Sequence, residues 1–235
     1  MTIDQGEGAQ RFLGQFADPA AIARYAEGPP RFLPGFEAMH KMTSILLSET
    51  MPADGRLLVL GAGGGLEIAA LSRDHAEWQF TGVDPARPML DLAANTLGPV
   101  MDRVDLIEGY IDDAPQGPFD GAICLLTLHF LDRAERVRTL AGIRNRLKPG
   151  APFVAVHSSF PQEDEQRPRW LNRYAAYALA SGADPEIVAN ARANIEQTLS
   201  LFTSAQDEAM LHEAGFRDAE MFFAAFTWRG WVGHA

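Results

Sequence analysis

The glycines at 61, 63, 64 and 65 and the aspartate at 84 are the residues of this chain best placed to do chemistry together. Glycine lets a backbone turn sharply and approach a ligand with no Cβ in the way. These glycines stand in LLVLGAGGGLEIAAL, residues 57–71, where a short apolar run enters the turn and a helical pattern leaves it. A strand, a glycine turn and a helix N-terminus make a nucleotide-binding crevice. Asp84 follows Gly65 by nineteen residues and closes the next apolar run, in TGVDPARPML. A carboxylate there can accept hydrogen bonds from both hydroxyls of an adenosine ribose. A tight turn without a ligand is the alternative for the glycines, and an Asp-Pro helix start for Asp84. His129 and His157 follow later apolar runs, at the same expected edge. Each is either a general base for an acceptor or a hydrogen-bonded structural histidine.

Glycine spacing selects the nucleotide. The dinucleotide pattern G-x-G-x-x-G would need glycine at position 66, where this chain has Leu66. The run reads G-x-G-x-G instead, a flat floor rather than a pyrophosphate cradle. The histidines lack metal-ligand spacing and no G-x-S-x-G occurs, so neither a metal centre nor a hydrolase elbow is expected. Cys124 is the lone cysteine, sits in an apolar run without a flanking base, and reads as core.

The chain of 235 residues carries a formal net charge of −11. That balance repels nucleic acid at long range, and no basic run offsets it, so no direct nucleic-acid binding is expected. No apolar run nears the ~20 residues of a membrane span. MTIDQGEGAQ at the N-terminus lacks the pattern of a secretory signal, and a lone cysteine makes no internal disulfide; a cytoplasmic setting is expected.

Positioning these residues requires an alternation of strands and helices. Residues 1–10 read as a tail. A helix over 18–27 has Asp18 as N-cap and Pro19 at its first position, and Gly28-Pro29-Pro30 breaks it. Phe36, Met39, Thr43, Leu46 and Leu47 recur at helical spacing, predicting a helix over 36–50. Strands follow at 56–60, 79–83, 104–107, 119–125 and 152–156. Helices are expected between them at 64–73, 86–97 and 132–146. Such alternation predicts an α/β, doubly wound, Rossmann-like parallel sheet. Residues 158–203 break the rhythm with two helices, at 166–181 and 185–199, and are read as an insertion over the crevice: a substrate cap, or an interface in a homodimer. A helix at 204–214, with Ser204 as N-cap, leads into an antiparallel hairpin of 219–224 and 226–232. The chain is expected to be a single domain, 1–235, with an N-terminal helical lid over 18–50 and a helical cap over 158–203.

From the glycine turn to the hairpin, these segments resemble the class I S-adenosylmethionine (SAM)-dependent methyltransferases. GAGGG resembles that family's first motif, Asp84-Pro85-Ala86-Arg87-Pro88-Met89-Leu90 its second, DRVDLIEGYIDD (102–113) its third and FDGAICLLTLHFL (119–131) its fourth. The resemblance implies a seven-stranded sheet of order 3-2-1-4-5-7-6 with strand 7 antiparallel. It also implies SAM as cofactor, S-adenosylhomocysteine as product, and methyl transfer to a small-molecule acceptor. Gly61, Ala62, Gly63 and Gly65 would floor the cofactor and Asp84 would hold its ribose. Pro85, Met89, Tyr110, Ile111 and Leu125 would surround the adenosine. Two positions depart from the family. Val59 replaces the acid that stands two residues before the first glycine and helps hold the methionine ammonium. Tyr110 replaces the aspartate of the third motif, for which Asp112 or Asp113 are the candidate substitutes.

PPRFLPGFEAMHKM (29–42), LTLHFL (126–131) and the insertion resemble more closely the carboxy-SAM synthases, which remodel SAM for wobble-uridine modification of transfer RNA. By that resemblance Arg192 would bind the added carboxylate and Phe36 would be an aromatic lid, while His40 is expected to face the pocket from the N-terminal helix. A non-catalytic domain binding SAM or S-adenosylhomocysteine is the third reading.

Overall fold

A computed structural model of the chain describes residues 25–235. The expected tail and residues 18–24 of the expected first helix lie outside the described residues. Tyr25–Glu27 form a single 3₁₀ turn. Gly28-Pro29-Pro30 opens a short helix, α1 (Gly28–Phe32), with proline in its first turn. Proline costs nothing there, because first-turn amides have no intrahelical partner. Gly35, at φ +75°, turns the chain into α2 (Phe36–Ser48).

The alternation then runs as expected. β1 (Arg56–Leu60), α3 (Leu66–Asp74), β2 (Gln79–Asp84), α4 (Arg87–Leu97), β3 (Val104–Glu108), β4 (Gly121–Leu125), α5 (Arg133–Arg144) and β5 (Pro152–Ser158) follow in turn. The cap is α6 (Gln166–Ala180) and α7 (Pro185–Thr198), after which come α8 (Ser204–Glu213), β6 (Arg217–Ala225) and β7 (Trp228–His234). Seven strands form one sheet in the order β3-β2-β1-β4-β5-β7-β6. β1 to β5 are parallel, and β7 enters antiparallel between β5 and β6. The N-cap of α8 is Thr203 rather than Ser204. Its hydroxyl accepts from the Gln206 amide while the Gln206 side chain accepts from the Thr203 amide, a reciprocal pair that Ser204, one residue on, cannot make.

Side chains alternate across β1. Leu57 and Val59 enter a core shared with α2, α3 and the cap, whereas Leu58 and Leu60 enter one shared with α5 and α8. The cap, the N-terminal segment and the hairpin converge at one place. Phe32 packs on Tyr174 of α6 with ring centroids 5.4 Å apart, and the Trp228 indole donates to the Phe32 carbonyl at 3.0 Å. Among the described residues no helix is long and apolar enough to cross a membrane.

Candidate active site

The turn after β1 is built by backbone conformations that other residues resist. Gly61, Gly63 and Gly65 have φ of +76°, +40° and +78°. The amides of Gly61 and Ala62 both donate to the Val83 carbonyl, tying the turn to the end of β2. Asp84, the last residue of β2, completes the link: its Oδ2 accepts from the Gly63 amide at 2.9 Å and its Oδ1 from the Ala86 amide at 2.9 Å. Burial pushes the Asp84 carboxyl upward while both amides favour its charge. Ionised carboxylates have about four lone-pair sites, so two remain for ribose hydroxyls.

From the far side the turn is walled by Thr127. Leu126 takes a left-handed conformation at φ +57°, unusual for a leucine, with its amide on the Val156 carbonyl. That bend brings the Thr127 hydroxyl into the space a Cβ on Gly61 would fill. Strained backbone of this kind gathers at functional sites.

Two residues join the site that the motifs did not single out. Tyr25 lies over Gly64, where an added Cβ would come within 2.9 Å of its ring, and its hydroxyl sits 3.6 Å from the Cβ position of Gly63. Glu67, in the first turn of α3, is buried, and burial lifts its carboxyl to about 7. Burial, then the charges of Glu67 and Asp84, raise the Tyr25 hydroxyl. The pocket is therefore acidic, and among the described residues no lysine or arginine pairs with Glu67 or Asp84. Position 25 carried no sequence signal, and a glutamate in a first helical turn usually just complements the helix dipole.

The expected adenosine residues divide. Met89 brings its methyl 3.7 Å from the Cβ position of Gly63, and Pro85 follows Asp84 directly. Tyr110 is partly exposed, and burial followed by the Asp84 charge raises its hydroxyl. Leu125 closes β4 as a core residue. The Ile111 side chain is buried against Gly142 of α5. Ala62 is fully buried and supplies the floor with backbone alone. Both substitute acids already have partners in the protein. Asp112 pairs with Arg138 of α5, and Asp113 accepts from the Tyr110 amide.

Both histidines proposed as bases are enclosed. His157 stacks on Trp231 and its Nε2 lies 3.1 Å from Asp207, which also pairs with the buried Arg136. His129 is 4 % exposed, edge-on to Trp228, and its Nδ1 accepts from the Ser158 amide. Desolvation lowers both imidazoles, and for His157 the Asp207 charge opposes it. Their places at strand ends are as expected, but β7 and α8 pack over that edge and turn them inward.

Phe36 and His40 sit in edge-to-face contact, centroids 4.5 Å apart, and line a different cleft. It has a volume of about 490 Å³ and runs between α2 and the outer face of α3, bounded by Lys41, Arg73 and Thr96. Among its described lining residues, Leu66 adjoins the glycine turn in sequence. Arg192 is held within the cap, donating to Glu196 on its own helix and to Asn172 on α6. No cluster of three or more metal-ligating side chains occurs among the described residues.

Residues 58–153 match the family model described as a methyltransferase domain. Among curated proteins, the carboxy-S-adenosyl-L-methionine synthase of Campylobacter lari is 24 % identical over 193 residues, 82 % of this chain and 82 % of that one. The synthase of Chromohalobacter salexigens is 26 % identical over 211 residues, covering 88 % and 78 %. Among solved structures, PigF with S-adenosylhomocysteine superposes with a TM-score of 0.70 at 18 % identity, over 99 % of this chain and 63 % of that one. A putative O-methyltransferase of Nostoc punctiforme gives 0.67 at 20 %, covering 93 % and 61 %. The [4+2]-cyclase SpnF gives 0.58 at 20 %, covering 79 % and 59 %. The chain thus spans about three fifths of these three structures. Sharing one fold, a cyclase and methyltransferases show that fold alone leaves the reaction open.

Proposed function

We propose that this chain, which resembles the class I SAM-dependent methyltransferases in its matched domain and its sheet order, binds SAM over the glycine turn and transfers a methyl group to a small-molecule acceptor. The observation that carries this reading is the bond from the Gly63 amide to Asp84, which fuses ribose acid and glycine floor into one rigid unit. The pocket fits the cofactor by charge as well. Buried carboxylates are normally paired, and among the described residues no lysine or arginine pairs with Glu67. SAM supplies a methyl group already activated on a positively charged sulfur.

The residues of the chain have a correspondingly modest task. Gly61, Gly63 and Gly65 give a floor without side chains, Asp84 accepts from ribose hydroxyls, and Met89 and Tyr110 flank the adenosine. The cap helices α6 and α7 rise from the carboxyl end of β5, where an inserted segment lies over the ligand crevice and selects the acceptor. Alignment of acceptor and methyl supplies most of the rate in such a transfer. No histidine is assigned as a base, since His129 and His157 are enclosed.

Calorimetry with S-adenosylhomocysteine tests the site. Asp84→Ala is expected to lose at least about tenfold in affinity, from the charge-assisted bonds it deletes. Affinity equal to wild type would remove Asp84 from the site. A second reading, SAM remodelling to a carboxylated form, is favoured by the relatives covering most of the chain. Mass spectrometry of ligand copurified with the protein separates the two, because the carboxylated cofactor is heavier by one CO₂.

A further inference from the structure

We propose that Glu67 is the ammonium-binding acid of this site, doing from the first turn of α3 what resembling proteins do with an acid two residues before the first glycine. This deepens the SAM-binding reading and rests on it. Val59, which holds that earlier position, cannot serve. It is 1 % exposed and packs in an apolar core with Leu57, Ile68 and Ile123. A charge there would be buried without a partner.

Glu67 is placed to take over. It is the second residue of α3, two beyond Gly65, and is itself only 5 % exposed. Three other elements carry groups that interact with its charge: Asp84 at the end of β2, Tyr25 in the N-terminal turn and Cys124 on β4. All three are acids or weak acids, and none supplies a positive charge. The helix N-terminus and the Glu67 amide favour the ionised carboxylate, while desolvation opposes it. A group balanced in this way gains most when a cation arrives. The α-ammonium on the methionine side of the cofactor is such a cation, and the glycine turn that would carry it leads directly into Glu67. Asp84 has a different duty: each of its oxygens already accepts one turn amide, and its remaining lone pairs are those proposed for the ribose hydroxyls.

The test is calorimetry of the whole chain, wild type and Glu67→Gln, with two ligands. One is S-adenosylhomocysteine; the other is its deaminated analogue, with hydrogen in place of the α-amino group. Glu67→Gln is expected to weaken S-adenosylhomocysteine by about tenfold or more and the analogue by less than about twofold. In the wild type, S-adenosylhomocysteine affinity is expected to rise with pH through about 7, the range in which Glu67 ionises. Equal weakening of both ligands, or of neither, overturns the proposal. So does a pH-independent affinity in the wild type, an arm that needs no variant to fold. Failure of the wild type to bind S-adenosylhomocysteine at all would instead overturn the cofactor reading beneath it.

Discussion

The Thr127 hydroxyl occupies the space into which a Cβ on Gly61 would project, and Gly61 holds φ +76°. A substitution at Gly61 therefore meets two separate obstacles. The left-handed backbone costs an alanine about 1–2 kcal/mol, and overlap with Thr127 adds to it. Gly61→Ala is expected to lower the melting temperature by at least about 4 °C and to abolish S-adenosylhomocysteine binding. Combining it with Thr127→Gly should recover only the overlap part. A melting temperature for Gly61→Ala equal to wild type would show that the turn relaxes freely.

Glu67 makes stability depend on pH in a defined direction. Its folded-state carboxyl titrates at about 7, above the ordinary 4.5. Between those values the folded protein retains a proton that the unfolded chain releases. Stability is therefore lost as pH rises through that window, and the penalty is complete above it. Ligand-free Glu67→Gln should melt above the wild type at about pH 8, the difference shrinking as pH falls toward 4.5. The opposite ordering in a thermal scan would place a stabilising cation beside Glu67.

Arg136 and Asp207 form a buried ion pair, and Arg136 also donates to the Ser200 carbonyl at 2.7 Å. Removing one charge strands the other. Asp207→Asn is expected to cost about 3–5 kcal/mol in urea unfolding, whereas Arg136→Met with Asp207→Leu should cost much less. A milder single than double substitution would contradict this account.

Arg192 ties α6 to α7 from a partly exposed position. Arg192→Ala should cost less than about 1 kcal/mol and leave S-adenosylhomocysteine affinity within about twofold. Selective loss of a carboxylated cofactor in this variant, measured beside S-adenosylhomocysteine, would restore the ligand role that resemblance gave it.

The sheet was legible because its signals are local and redundant. Apolar runs such as AICLL and FVAV, glycine and proline breaks, and the short link between the last two strands each fix one element and together fix the order. Asp84 was legible for the same reason: it closes a strand at a set distance from a glycine turn. The histidines were not, because a sequence shows that His129 follows one strand and His157 ends another, but not that Trp228, Trp231 and Asp207 come back across 50 or more residues of chain to enclose His157 and pack on His129. Glu67 was hidden by its ordinary setting, since nothing in GGGLEIAAL reveals that its carboxylate turns inward. Phe36 and His40 were correctly placed on one helix, yet the spacing could not say which side of α3 that helix would cover.

The bond from the Trp228 indole to the Phe32 carbonyl sets an order of events during synthesis. Residues 28–32 are made early, but their anchor is made nearly two hundred residues later, and the β7 strand that carries it must first slot between β5 and β6. A growing chain can assemble the glycine floor and Asp84 from its first half, while the cover over that floor waits for residue 228 to emerge. Ribosome-bound chains halted before and after that point would therefore differ in the protection of Tyr25, although both already contain every residue of the floor.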